Sequence, residues 1–209
     1  MKIGLFGGTF NPPHKGHEHM LAHFCETLQF DKIFVMPNKR PVHKMYDDLV
    51  LDSERLDMCR LAFQNPKYEV STMELDRATP SYTVYTVREI LAQYPDADLY
   101  LLIGSDMFLS FHKWYKYREI LEKCTLCVAS RATEVDINAL RSYAFSQLRI
   151  YIKENEGKHI LLSAAEPFEI SSSQLRARLA NGEDVRAYLS PQVENYIKEK
   201  KLYGYRTQR

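Results

Sequence analysis

The sequence predicts an α/β protein: a doubly wound, mostly parallel sheet with helices on both faces. Three observations predict it. Short apolar β-rich runs alternate with helical patterns along most of the chain, as parallel strands joined by crossover helices require. The first run breaks into two glycines and then into a helix, a strand-turn-helix opening. With 209 residues, 45% of them hydrophobic, the chain is long enough to bury a real core.

Taken in order, residues 2–6 read as an apolar strand ending at Gly7-Gly8, and residues 16–28 as a helix. Residues 32–36 form a second strand, closed by Pro37-Asn38. A helix over 52–63, capped by Asp52 or Ser53, leads to a strand at 68–71 and a further helix over 83–92. The longest strand candidate, 99–103, ends in Gly104-Ser105-Asp106. An apolar strand at 124–129, a surface helix around 137–148, a short strand at 159–162 and two closing helices complete the reading. This is a Rossmann-like pattern, in which ligands collect beyond the carboxyl ends of the strands. No repeat or linker divides it, so residues 1–209 are expected to form one domain.

Charge excludes some function classes. Lys and Arg number 28 against 27 Asp and Glu, a formal net charge of +1, so no long-range field draws the protein to nucleic acid or an anionic membrane. Any anion must be held by a local constellation. The opening Met1-Lys2-Ile3-Gly4-Leu5-Phe6 is too short for a secretory apolar region and no stretch approaches a membrane span, so a cytoplasmic protein is expected. No heptad or distinctive edge fixes the oligomeric state, which leaves a homo-oligomer open. Cys124 and Cys127 have the spacing of a metal or redox pair, but no second pair exists. They fall in an apolar run where residues three apart face opposite sides, which favours core packing and no protein-held metal.

The turn after the first strand reads Gly7-Gly8-Thr9-Phe10-Asn11-Pro12-Pro13-His14-Lys15-Gly16-His17. It lacks G-x-G-x-x-G spacing and any Gly-Lys-Ser/Thr ending, which disfavours a dehydrogenase or a P-loop hydrolase. Gly7 and Gly8 let backbone N–H groups approach an anion, while His14, Lys15 and His17 crowd the positive pole of a helix, where cations are unwelcome. A polyphosphate would remove that conflict. Either histidine alone would read as a solvated turn residue; together, after a Gly-Gly turn, they favour an anion site. Late in the chain, Ile170-Ser171-Ser172-Ser173-Gln174-Leu175-Arg176 opens a helix that stops at Asn181-Gly182. There Ser172 or Ser173 is the expected cap, and Arg176 reads as a second cation misplaced in a first turn. Between these elements, Pro80-Ser81-Tyr82-Thr83 opens a helix with a hydroxyl cap, and Trp114, the lone tryptophan, follows Gly104-Ser105-Asp106. Tyr82 and Trp114 could sandwich a flat ring, although such aromatics more often pack in a core.

His14-Lys15-Gly16-His17 resembles the H-x-G-H signature of the nucleotidylyltransferase superfamily. The ordered set from Gly7 to Arg176 resembles bacterial-type nicotinate mononucleotide adenylyltransferases. The resemblance implies adenylyl transfer from ATP to nicotinate mononucleotide, giving nicotinate adenine dinucleotide and pyrophosphate. It implies that Gly7, Gly8, Thr9, Phe10, His14, His17, Gly104, Asp106 and the segment Ile170, Ser171, Ser172, Ser173, Arg176 serve ATP, with the helical part from about residue 170 completing that site. It implies that Tyr82, Thr83 and Trp114 hold the pyridine ring and its carboxylate, that Asp106 contacts the nucleotide, and that Lys44 and Arg131 reach the acceptor phosphate. The family tends to show Pro-Pro-His-Lys where this chain has Arg40-Pro41-Val42-His43-Lys44. That departure leaves the phosphate ligand open among Arg40, His43, Lys44 and Arg131.

A phosphate monoester with a second pKa of about 6 is largely a dianion near neutral pH and needs no protein base. Catalysis is then expected from positioning, Mg²⁺ carried with ATP and cationic groups, with His14, His17, Lys44 and Arg176 in those roles. The alternatives are nicotinamide mononucleotide or dual specificity, and another H-x-G-H enzyme such as a phosphopantetheine adenylyltransferase. A non-catalytic ATP sensor is a third, disfavoured by two histidines and Arg176 aimed at a leaving group.

Overall fold

The computed structural model describes residues 1–39, 49–130, 137–150, 160–164 and 170–205. Its frame is a six-stranded sheet of β1 (Lys2–Gly8), β2 (Lys32–Pro37), β3 (Tyr68–Val70), β4 (Asp98–Gly104), β5 (Thr125–Ser130) and β6 (Ile160–Ala164). The strand order is β3-β2-β1-β4-β5-β6. Every pairing is parallel, so the predicted doubly wound sheet is found. The order reverses between β1 and β4, and a crevice opens at such a switch point beyond the strand ends.

Alternate strand residues feed two cores. On one face Leu5, Leu101, Ile103, Leu126 and Val128 pack with Val84, Val87 and Ile90 of α4 (Thr83–Gln93) and with Ile120 of α6 (Tyr117–Lys123). On the other, Phe6, Ile33, Val35 and Leu102 meet Met20, Leu21 and Phe24 of α1 (Lys15–Leu28) and Cys59 of α2 (Asp52–Ala62). Cys124 belongs to the first core and Cys127 to the second, both as free thiols whose burial pushes them up to about 12. Thiols so disfavoured as thiolates are inert packing groups. A third cluster joins Met58 of α2 to Leu175 and Leu179 of α8 (Ser172–Asn181) and to Val193 and Ile197 of α9 (Pro191–Lys200). Helix α2 is therefore the link between sheet and C-terminal helices.

Several local expectations need correction. Helix α2 starts at Asp52 after an N-cap Leu51, whose amide donates to Glu54 Oε2 at 2.9 Å, so neither Asp52 nor Ser53 is the cap. Three helices that the periodicity did not mark are present: α3 (Met73–Asp76), α5 (Ser105–Phe108) and α6, each of seven residues or fewer, too short for a stripe to show. The helix expected over 137–148 is α7 (Ile137–Tyr143) closed by a single π turn (Ala144–Leu148), with Leu140 and Ala144 fully buried on the sheet. Among the described residues no helix is long and apolar enough to cross a membrane.

Candidate active site

The β1 turn is built around one aromatic ring. Phe10 takes left-handed backbone, φ 48°, and its ring, 1% exposed, lies so close to Gly8 that a Cβ there would sit 2.8 Å from it. Only glycine fits at position 8 without displacing that ring. The ring also supports His17 edge-on, with centroids 5.1 Å apart. His14 is the N-cap of α1 and His17 its third residue; their rings lie 3.8 Å apart, inclined at 34°. His17 Nδ1 accepts the His14 backbone N–H at 3.2 Å. An imidazole accepting at Nδ1 carries its proton on Nε2, so in this arrangement His17 is neutral and offers an N–H donor.

That geometry corrects the picture of crowded cations at two helix poles. His17 is a neutral acceptor at the α1 terminus, and Lys15 turns away, its Nζ donating to the Arg186 carbonyl at 2.9 Å. Arg176 is the fifth residue of α8, beyond the first turn where the helix dipole acts. The cap of α8 is Ser171, not Ser172 or Ser173: its Oγ accepts from Gln174 N at 3.2 Å and its N–H donates to Gln174 Oε1 at 2.9 Å. Ser172 Oγ instead donates to the Pro12 carbonyl at 3.1 Å, fastening α8 to the β1 turn. Arg176, 9% exposed, donates from Nη1 to the Asn11 carbonyl at 3.0 Å, with Nη2 3.4 Å from Ser173 Oγ.

These groups share one cavity of about 320 Å³, the size of a small-ligand pocket, at the switch point. Gly7, Gly8, Thr9 and Phe10 line it from β1, and Gly104 and Asp106 from the end of β4. His14 and His17 stand on α1, and Ser171, Ser172, Ser173 and Arg176 on α8. Tyr82, Thr83 and Trp114 line the same space, so residues more than 160 positions apart in sequence converge there. Ile170 does not line it and packs on the C-terminal cluster instead. Lys44 and Arg131, with Arg40 and His43, lie outside the described residues.

The aromatic end differs from expectation in its pairing. The Tyr82 ring lies 4.8 Å from Tyr115 at 39°, whereas Trp114 packs 5.1 Å from Phe111. Trp114 Nε1 is buried and has no hydrogen-bond partner among the described residues. Ser81 does not cap α4: Tyr82 is the N-cap without a side-chain bond, and Ser81 Oγ accepts the Lys39 N–H at 3.1 Å. Glu74 of α3 lines the cavity at 6% exposure and accepts from Thr86 Oγ1 at 2.6 Å; its burial raises the carboxyl above the ordinary range. Asp106 is an exposed carboxylate on the cavity wall.

Sequence reasoning missed Asn11, Asn38, Glu74 and Tyr115, all of which line the cavity. Asn38 had a signal: it follows β2 directly, beside the turn that ends β1, with its N–H donated to the Gly8 carbonyl at 3.0 Å. Tyr115 had one too, as the neighbour of Trp114. Glu74 and the buried Arg55 of α2 had none.

A doubly wound sheet, a histidine pair at the first turn and a serine-capped helix folding back over it define a nucleotide-binding α/β protein of the nucleotidylyltransferase class. Residues 5–178 match the cytidylyltransferase-like family, and the chain belongs to it, within the branch formed by the nicotinate-nucleotide adenylyltransferases. The chain is 36% identical over 208 residues to a probable nicotinate-nucleotide adenylyltransferase of Geobacillus kaustophilus, covering 99% of this chain and 88% of that protein. It is 33% identical to the nicotinate-nucleotide adenylyltransferase of Bacillus subtilis, covering 97% and 98%. In fold it is similar to the Plasmodium falciparum nicotinic acid mononucleotide adenylyltransferase complexed with NaAD, with a TM-score of 0.77, 19% identity and 98% of each chain covered.

Proposed function

We propose that this protein joins the AMP moiety of ATP to nicotinate mononucleotide, releasing pyrophosphate and nicotinate adenine dinucleotide, a step of NAD biosynthesis. The observation that carries this reading is the single cavity with two chemically distinct ends. One end has N–H donors of a helix start, a neutral His17 and the Arg176 guanidinium, suited to a polyphosphate. The other has Tyr82, Trp114 and Tyr115 rings beside the Thr83 helix start, suited to a flat anionic ring.

In this reading an oxygen of the acceptor's phosphate dianion attacks the α-phosphorus of ATP in line. The bond from that phosphorus to the bridging oxygen breaks, and pyrophosphate leaves with the electron pair. No covalent enzyme intermediate and no protein base are required. Gly7, Gly8, Thr9 and Phe10 bring backbone donors to the triphosphate; His14, His17 and Arg176 stabilise charge moving onto the leaving group. Gly104, Ser171, Ser172 and Ser173 line the nucleotide end, and Ile170 seats the segment. Lys44 and Arg131 are the proposed ligands of the acceptor phosphate.

Mg²⁺ carried with ATP would supply neutralisation of phosphate charge. A magnesium ion that takes most of its ligands from phosphate and water needs only one or two carboxylates. Asp106 fits, as an exposed hard oxygen donor lining the cavity, whereas Glu74 is 6% exposed and its burial raises the carboxyl above the ordinary range.

Pyrophosphate release from ATP, measured with nicotinate mononucleotide, nicotinamide mononucleotide and phosphopantetheine side by side, tests the proposal. Turnover is expected with the nicotinate acceptor and none with phosphopantetheine. Release that is independent of acceptor, or greatest with phosphopantetheine, would overturn it.

A further inference from the structure

The chain's last described element reaches back to its first turn. After α9, a 3₁₀ turn (Leu202–Gly204) seats Leu202, 8% exposed, in the C-terminal cluster. Tyr203 within it takes left-handed backbone, φ 56° and ψ 27°, a conformation that bulky side chains rarely adopt. Among the described residues the aromatic residues with positive φ are Phe10 and Tyr203. Phe10 precedes Asn11 in the chain, and Tyr203 reaches it across the fold: the phenol donates to Asn11 Oδ1 at 2.8 Å. Backbone strain of this kind persists where surrounding contacts over-determine it, and it clusters at functional sites.

Asn11 is 1% exposed and is held from several directions. Its Oδ1 also accepts the Val50 N–H at 3.4 Å, and its backbone carbonyl accepts Arg176 Nη1 at 3.0 Å. The hydroxyl of Tyr203 therefore stands one residue away from the guanidinium, without lining the cavity itself. Burial raises the phenol above its ordinary range, so it remains a donor throughout the working pH range.

We propose that Tyr203 is a positioning residue of the ATP half of the site: its hydroxyl fixes Asn11, and Asn11 in turn holds Arg176 where the triphosphate binds. The inference rests on reading Arg176 as a phosphate ligand. It makes the C-terminal turn, 192 residues from Asn11, a working part of the nucleotide site.

The test is Tyr203→Phe, which removes one oxygen and keeps the ring. KM for ATP is expected to rise about fivefold, the effect of one net hydrogen bond, with KM for the mononucleotide unchanged within about twofold. In an Asn11→Ala or an Arg176→Ala background the same change is expected to add nothing further, because neighbours acting through one another are not additive. Equal rises in both KM values, a fall in melting temperature with unaltered kinetics, or full additivity in whichever background folds would overturn the inference. Arg176→Ala alone separates the two readings. If it leaves KM for ATP unchanged, the assignment of Arg176 itself fails; if it raises KM and Tyr203→Phe does not, only the positioning role fails.

Discussion

His17 Nδ1 accepts the His14 backbone N–H at 3.2 Å, an arrangement that leaves Nε2–H as the donor. A donor set in place before the reaction costs no reorganisation when charge develops on the leaving group. His17→Ala should lower kcat by about 10²-fold or more while the protein stays folded, as steady-state kinetics with circular dichroism would check. A folded variant with ordinary kcat would remove His17 from the mechanism. Trp114 packs on Phe111 and lines the cavity, and in the proposed function it holds the acceptor ring. Trp114→Ala should raise KM for the mononucleotide with KM for ATP little changed; equal losses would make the ring structural. At this scale the sequence was informative about cavity-lining residues carried by contiguous motifs, as at His14 and His17 or Ser171 to Ser173 and Arg176. It was silent about Asn11 and Glu74, whose positions in the cavity depend on tertiary placement. The acceptor role of His17 Nδ1 was not legible, because a bond from an N–H at the helix start cannot be seen in a list of residue types.

Two helices brace the site, and each makes a stability prediction. The cap of α8 is a reciprocal pair, Ser171 with Gln174, so Ser171→Ala should cost about 1 kcal/mol in chemical denaturation. Ser173→Ala, one turn position inside, should cost less than about 0.5 kcal/mol. The opposite ranking would restore Ser173 as the cap. Helix α2 contributes Arg55, fully buried, whose Nη1 donates to the Thr9 carbonyl at 2.7 Å and Nη2 to the Asn38 carbonyl at 2.6 Å. It ties together the turns at the ends of β1 and β2. Arg55→Met leaves both half-buried carbonyls without this donor, so a loss of about 2–6 kcal/mol is expected, at about 1–3 kcal/mol for each. Because the two turns serve both ends of the cavity, both KM values should rise. A variant as stable as the parent would show that the carbonyls find other donors. Helix existence and strand existence were legible from periodicity, but the cap residues and the short helices α3, α5 and α6 were not. One or two turns carry too few positions for a pattern, and a serine run offers several equivalent hydroxyls.

At the scale of the molecule, alternation of strands and helices was enough to give the class, yet not the strand order. Sheet order depends on which apolar faces meet, and most of the candidate strands here are apolar. The observed order puts the reversal between β1 and β4, and only then do Gly7 to Phe10 and Gly104 to Asp106, nearly a hundred residues apart, face one crevice. The C-terminal helices close it, through Ser172 on Pro12, Arg176 on Asn11 and Tyr203 on the Asn11 side chain. The first turn thus depends on the end of the chain for its shape.

The most direct check on the account is a crystal structure with a non-hydrolysable ATP analogue. The triphosphate should lie across the β1 turn, with His17 Nε2 and the Arg176 guanidinium within hydrogen-bond reach of its oxygens. A nucleotide bound elsewhere, with His14, His17 and Arg176 facing bulk water, would contradict it.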